Sequence, residues 1–123
     1  MTIPKISFKA TNTKLEAPLT DLMERKLSSL DRLVPDNTDN LCDVEFEKVT
    51  GRNNGSIHRV EVNLTVDGKL YRAESTQESF SEAIDKVRDE LDKELRRSKS
   101  KRDTLIKKGG RELKKRLLGK AAA

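Results

Sequence analysis

Ile6, Phe8 and Ala10 alternate with Lys5, Ser7 and Lys9, the two-residue period of a strand with one wet face. Pro18 then opens a helix, and Leu19, Leu22, Met23, Leu27, Leu30 and Leu33 recur at three- and four-residue steps until Pro35 stops the stripe. The turn-rich stretch Pro35-Asp36-Asn37-Thr38-Asp39-Asn40 closes this unit. Alternation returns in Cys42, Val44 and Phe46 against Asp43, Glu45 and Glu47, and in Val60, Val62, Leu64 and Val66 against Arg59, Glu61, Asn63 and Thr65. Gly51-Arg52-Asn53-Asn54-Gly55 supplies the loop between these two strands, and Asp67-Gly68 is a two-residue hairpin signal into a fourth strand near Leu70 to Ser75.

Ser79 and Glu82 have the S-x-x-E spacing of a capping box, in which each side chain satisfies a free backbone N–H at a helix start. Phe80, Ile84, Val87, Leu91 and Leu95 follow as the apolar stripe of that second helix. Beyond Leu95 the stripe ends, and the pattern predicts a helix that projects past the sheet until Gly109-Gly110 interrupts it, with a last short helix from Arg111 to Leu118. The order is therefore β-α-β-β-β-α. Strands with one apolar and one charged face place both helices on one side of a four-stranded sheet whose last three strands form an antiparallel meander, an α+β fold. Phe8, Leu27, Phe46, Val62, Leu64, Ile84, Val87 and Leu91 are the expected shared core.

Composition narrows the class. With 123 residues, 33% of them hydrophobic, the chain has material for one domain with a single core. No stretch is apolar enough for a transmembrane helix or, after Met1-Thr2-Ile3-Pro4, for a signal-peptide core, so a cytoplasmic protein is expected. Cys42 is the single cysteine, which excludes an internal disulfide and a thiolate zinc cluster.

One histidine, one cysteine and no Gly-rich phosphate loop remove most catalytic constellations. No enzyme activity, cofactor, metal or small-molecule substrate is expected. His58 and Cys42 share parity with their apolar strand neighbours and read as packed or rim residues. Asp43, Glu45 and Glu47 read as a solvated sheet face opposite Lys and Arg neighbours, and Asn63-Leu64-Thr65 as a chance glycosylation pattern inside a strand. Base stacking on the sheet is disfavoured, because Phe8, Phe46 and Phe80 fall on core positions and Tyr71 stands alone.

Charge is strongly uneven. From Lys93 to Ala123 there are 13 Lys and Arg against Glu94, Asp103 and Glu112, a net of +10, whereas the whole chain carries +5. Residues 1–92 therefore carry −5, and the partner of the C-terminal part should be polyanionic. Lys86, Lys93, Arg97 and Lys101 are spaced by seven, four and four residues, along one side of a helix. With Arg96, Lys99 and Arg102 they form a candidate phosphate-binding surface, which Arg25, Lys26 and Arg32 extend from the first helix. Double-stranded RNA-binding domains of the usual kind carry basic residues at the start of the last helix, where this chain has Glu78, Ser79 and Glu82, so the docking must differ.

Taken in order, Glu47-Lys48-Val49-Thr50, Arg59-Val60-Glu61-Val62 through Val66-Asp67-Gly68, Arg72-Ala73-Glu74 and Ala83-Ile84-Asp85-Lys86-Val87 with Leu91 and Leu95 resemble the ribosome hibernation-promoting and ribosome-associated inhibitor family. The resemblance covers roughly residues 3 to 102. It implies a β-α-β-β-β-α fold similar to double-stranded RNA-binding domains, and a steric inhibitor that binds ribosomal RNA of the small ribosomal subunit across the messenger and transfer-RNA sites. Lys93 and Arg97 match basic positions of the family's second helix, Lys101 the basic run beyond it, and Lys26 and Arg32 basic positions of the first. Glu90, Ser81 and Thr20 depart from the pattern, standing where the family usually has a basic residue, a tyrosine and an arginine. The resemblance further implies a ribosome-binding domain over 1–102, a flexible basic tail over 103–123 too short for the second domain of long members, and a monomer off the ribosome. Two other functions fit the same residues: a general RNA-binding or RNA-chaperone module, and a protein-interaction adaptor in transcription regulation that uses Leu105, Ile106, Leu113, Leu117 and Leu118.

Overall fold

The computed structural model describes residues 6–35, 38–50 and 56–122, with side chains as far as Leu105. The elements are β1 (Ile6–Thr11), α1 (Ala17–Ser28), a 3₁₀ turn (Asp31–Leu33), β2 (Asn40–Lys48), β3 (His58–Val66), β4 (Lys69–Gln77) and α2 (Phe80–Ala122). They build one mixed sheet in the order β1-β2-β3-β4. β2, β3 and β4 form the expected antiparallel meander, while β1 runs parallel to β2 with Phe8 opposite Val44. Parallel neighbours need a crossover of about a dozen residues or more, and the α1 segment provides it.

Local chemistry sets the element ends. Pro18 lies in the first turn of α1, where its missing N–H costs nothing. The helix stops at Ser28, short of the apolar stripe that predicted it. Ser29 Oγ donates to the Lys26 carbonyl at 2.6 Å, a side-chain bond that competes with continued helix. Leu30 and Leu33 still reach the core, through the 3₁₀ turn. Asp67 and Gly68 take φ of 50° and 85°, the left-handed pair of a two-residue hairpin. At the start of α2 the Glu82 N–H donates to Ser79 Oγ at 3.2 Å, half of the predicted capping box.

Of the eight expected core residues, Leu27, Phe46, Val62, Leu64, Ile84, Val87 and Leu91 are fully buried in one cluster, and Phe8 packs half-buried against it. Phe46 stacks on Phe8 and meets Phe80 edge-on, tying the sheet to the start of α2. Tyr71 is buried among these residues, and Leu70 is the exposed neighbour. A further expectation fails: α2 passes through Gly109-Gly110 as a single helix. Two glycines cost about 1 kcal/mol each relative to alanine, a weakening that leaves the backbone geometry attainable, unlike proline. Gly51 to Gly55, Asp36-Asn37 and the side chains of Ile106, Leu113, Leu117 and Leu118 lie outside the described residues.

Candidate nucleic-acid interface

Among the described side chains Leu95 is the last of α2 in the core cluster, the helix backbone continues for about 40 Å beyond it, and one side of α2 is turned away from that core. Along this free side Lys86, Lys93, Arg97 and Lys101 are all exposed. At about 100° per residue they fall within an arc of about 80°. Lys86 and Lys93 line one shallow hollow together with Arg88, Asp89, Glu90 and Asp92. Arg97 touches Glu94 at 3.4 Å, with its side chain 76% exposed, so it stays available to an external anion.

The remaining predicted cations lie elsewhere. Lys26 is half-buried and bound to Asp85 of α2 at 3.1 Å, which places α1 beside α2 as expected but occupies the ammonium. Arg32 is exposed on the 3₁₀ turn, not on α1. Arg96 is exposed and held by Asp92, while Arg102 is half-buried. The basic residues therefore form an outer row and a second group facing α1 and the 3₁₀ turn.

Arg88 is a linking position that charge spacing along the chain did not single out. Its Nε donates to Ser29 Oγ at 3.1 Å and its Nη1 meets Asp92 at 3.0 Å, so it joins the end of α1 to α2. The i,i+4 spacing of Arg88, Asp92 and Arg96 was the available signal. Lys69 is a second such position; it bonds Ser98 Oγ at 3.0 Å and lies over the Tyr71 ring, linking the β3–β4 hairpin to α2.

The opposite surface of the domain is different chemistry. Asp43, Glu45, Glu47, Glu61 and Glu74 occupy the outer sheet face, as the strand parity predicts. Arg59 sits among them, bonding Glu47 at 3.2 Å, Glu45 at 3.5 Å, Glu74 at 2.5 Å and also Glu61. Arg72 adds a contact to Glu61 at 3.2 Å. Partial burial pushes the Glu61 carboxyl up, but hydrogen bonds from Asn63 and Arg59 and the charges of Arg59 and Arg72 outweigh it and hold it below its ordinary value. Burial opposes the Arg59 charge, yet bonds to Glu74 and Glu61 hold the guanidinium protonated even more firmly than usual. All three phenylalanines and the tyrosine belong to the core side, so this face offers no aromatic platform for bases.

Cys42 is buried, and burial, then the neighbouring Asp43 charge, pushes its thiol up to about 12. His58 is half-buried edge-on against Phe80 at 4.8 Å, a rim position as expected, with no hydrogen-bond partner for Nδ1 among the described residues. Among the described residues no group of three or more His, Cys, Asp and Glu side chains is placed to hold a metal ion, and no helix is long and apolar enough to cross a membrane.

Fold and charge layout together define a small α+β domain with a cationic helix on one side and a carboxylate-rich sheet on the other. The chain belongs to the family described as sigma 54 modulation protein / S30EA ribosomal protein, whose model matches residues 6–103. A ribosome hibernation promotion factor of Deinococcus radiodurans is 38% identical over 90 residues, 73% of this chain. The chain spans about half the length of this curated relative, the match covering 46% of it. The resemblance to the hibernation-promoting factor family holds, and this is not a family of enzymes.

Solved structures share the fold. The crystal structure of the N-terminal domain of Thermus thermophilus Protein Y superposes with a TM-score of 0.63 at 23% identity, covering 76% of this chain and 98% of that one. A ribosomal subunit interface protein from Coxiella burnetii gives 0.62 at 20% identity, covering 77% and 97%.

Proposed function

We propose that this chain is a cytoplasmic translation inhibitor that docks on the small ribosomal subunit across the messenger and transfer-RNA sites and promotes ribosome hibernation under stress or in stationary phase. The observation that carries the reading is the row Lys86, Lys93, Arg97 and Lys101, displayed on a helix that outruns its own domain, in a chain whose relative is named for ribosome hibernation. Cations in such a row neutralise successive RNA phosphates and release condensed counterions, which drives binding without base readout. The carboxylates of the outer sheet face are repelled by the same phosphates, so charge alone orients α2 toward RNA and the sheet away from it. Residues 1–102 form the docking domain in this reading, and 103–123 add positive charge. Inhibition is steric, the domain occupying space that messenger and transfer RNA require.

Sedimentation of the tagged protein from growing and starved cells tests this. Co-migration with small subunits or whole ribosomes, and displacement by messenger and transfer RNA, are the expected results. Equal binding to arbitrary duplex RNA would instead make the chain a general RNA-binding module. A protein partner that survives ribonuclease and high salt would make it an adaptor, since phosphate contacts do not withstand those conditions.

A further inference from the structure

Arg96 is held in an unusual way for an exposed arginine. Asp92 takes its Nε edge, and among the described residues no hydrogen bond or ion pair engages its Nη1 or Nη2. The carboxylate is itself fixed: its other oxygen receives Arg88 Nη1 at 3.0 Å, Arg88 is anchored on Ser29 of α1, and the Asp92 side chain is 13% exposed against 54% for Arg96. The outer edge of the guanidinium is therefore presented to solvent from a fixed base, the orientation in which the fork meets two oxygens of a phosphate. Arg96 and Lys99 line a shallow cleft of about 360 Å³ between α2 and the 3₁₀ turn, with Leu33 as its apolar wall and Ser100, Asp103 and Thr104 beyond.

We propose that Arg96 and Lys99 form a discrete subsite for one RNA phosphodiester, separate from the outer row of α2, and that Asp92 is the positioning residue that aims Arg96 into it. The inference rests on the docking reading and adds a second line of interaction to it. Pre-organisation is what distinguishes it from charge alone. An arginine ordered only on binding loses side-chain freedom at that moment, whereas one already held by a carboxylate has lost it on folding. Arg88, Asp92 and Arg96 together still carry a net positive charge, so the cluster attracts phosphate although it contains an acid.

This makes a prediction of sign. Charge alone requires that Asp92→Asn, which removes a negative charge beside the RNA, tighten binding. Positioning requires that it weaken binding, by about three- to tenfold. Glu90→Gln is the control, because it removes one negative charge from the same helix, outside this cleft, with no arginine held by Glu90 among the described residues; it should tighten binding slightly. Affinity for purified small subunits would be measured for wild type, D92N, D92E, R96Q, E90Q and the D92N/R96Q pair, with thermal midpoints alongside. The expected result is a loss in D92N, partial recovery in D92E, and no loss in D92N/R96Q beyond that of R96Q, since the two residues act as one unit. D92N binding as tightly as wild type or tighter, or additive losses in the pair, overturns the proposal. Should D92N fail to fold, R96Q alone decides: unchanged affinity and salt slope overturn the subsite. Wild type that leaves small subunits unbound removes the docking reading and the subsite with it, a result distinct from binding by wild type with no effect of D92N.

Discussion

Replacing Arg59 by glutamine should cost far more than a surface charge normally does. Its guanidinium, 18% exposed, touches four carboxylates on three strands, and Glu45, Glu47 and Glu61 are themselves 15–26% exposed. An exposed ion pair is worth up to about 1 kcal/mol, and breaking a fully buried one costs about 3–5 kcal/mol. This cluster lies between those limits, and Arg72 and Asn63 still serve Glu61 in the variant, so about 2–3 kcal/mol is expected. For a domain of this size that is a fall in Tm of roughly 8–15 °C at pH 7. The sign of the pH dependence is a sharper test. Glu61 is held below its ordinary value of 4.5, so its contribution is complete above that value and fades as pH falls through the lowered one. In Arg59→Gln the crowded carboxylates repel, and protonation relieves them. The gap between variant and wild type should therefore narrow as the pH drops from 7 toward about 3. Thermal unfolding followed by circular dichroism measures it, and a Tm within about 2 °C of wild type at pH 7, or a gap that widens with acid, would refute the reasoning.

Changing Lys93, Arg97 and Lys101 together to glutamine should weaken small-subunit binding strongly and lower the log–log salt slope by roughly 0.7–1 for each phosphate no longer neutralised, with Tm nearly unchanged; unchanged affinity and slope would move the docking surface elsewhere. Truncation after Arg102 should leave the cooperative thermal transition in place, because among the described side chains none beyond Leu95 belongs to the buried cluster, and disappearance of the transition would show that 103–123 pack back onto the domain. Leu91→Ala, at a fully buried position between sheet and helix, should cost about 2–5 kcal/mol in denaturant unfolding. Cys42 should resist a thiol reagent at pH 8 in the native protein and react at once in denaturant, since its thiol is buried and titrates near 12.

Periodicity alone determined the element order, the one-sided sheet and nearly all of the core, because a two- or three-to-four-residue apolar repeat leaves a strand or helix one way to face a core. Asp67-Gly68 and Ser79 with Glu82 were legible for the same local reason: each solves a backbone problem within a few residues. So was the charge asymmetry, which is a property of composition. The end of α1 was not, since the stripe through Leu30 and Leu33 continues into a 3₁₀ turn that keeps both buried without remaining α-helical. Gly109-Gly110 misled because glycine lowers helix stability without forbidding helix. Tertiary structure decided which cations are free. Lys26 and Lys93 look alike in the chain, yet packing of α1 on α2 brings Lys26 onto Asp85 and leaves Lys93 exposed. It also gathered Glu45, Glu47, Glu61 and Glu74 around Arg59, and Arg88 and Arg96 around a half-buried Asp92. Coulomb interactions depend on distance and burial in space, and strand register and helix docking set both for residues far apart in sequence.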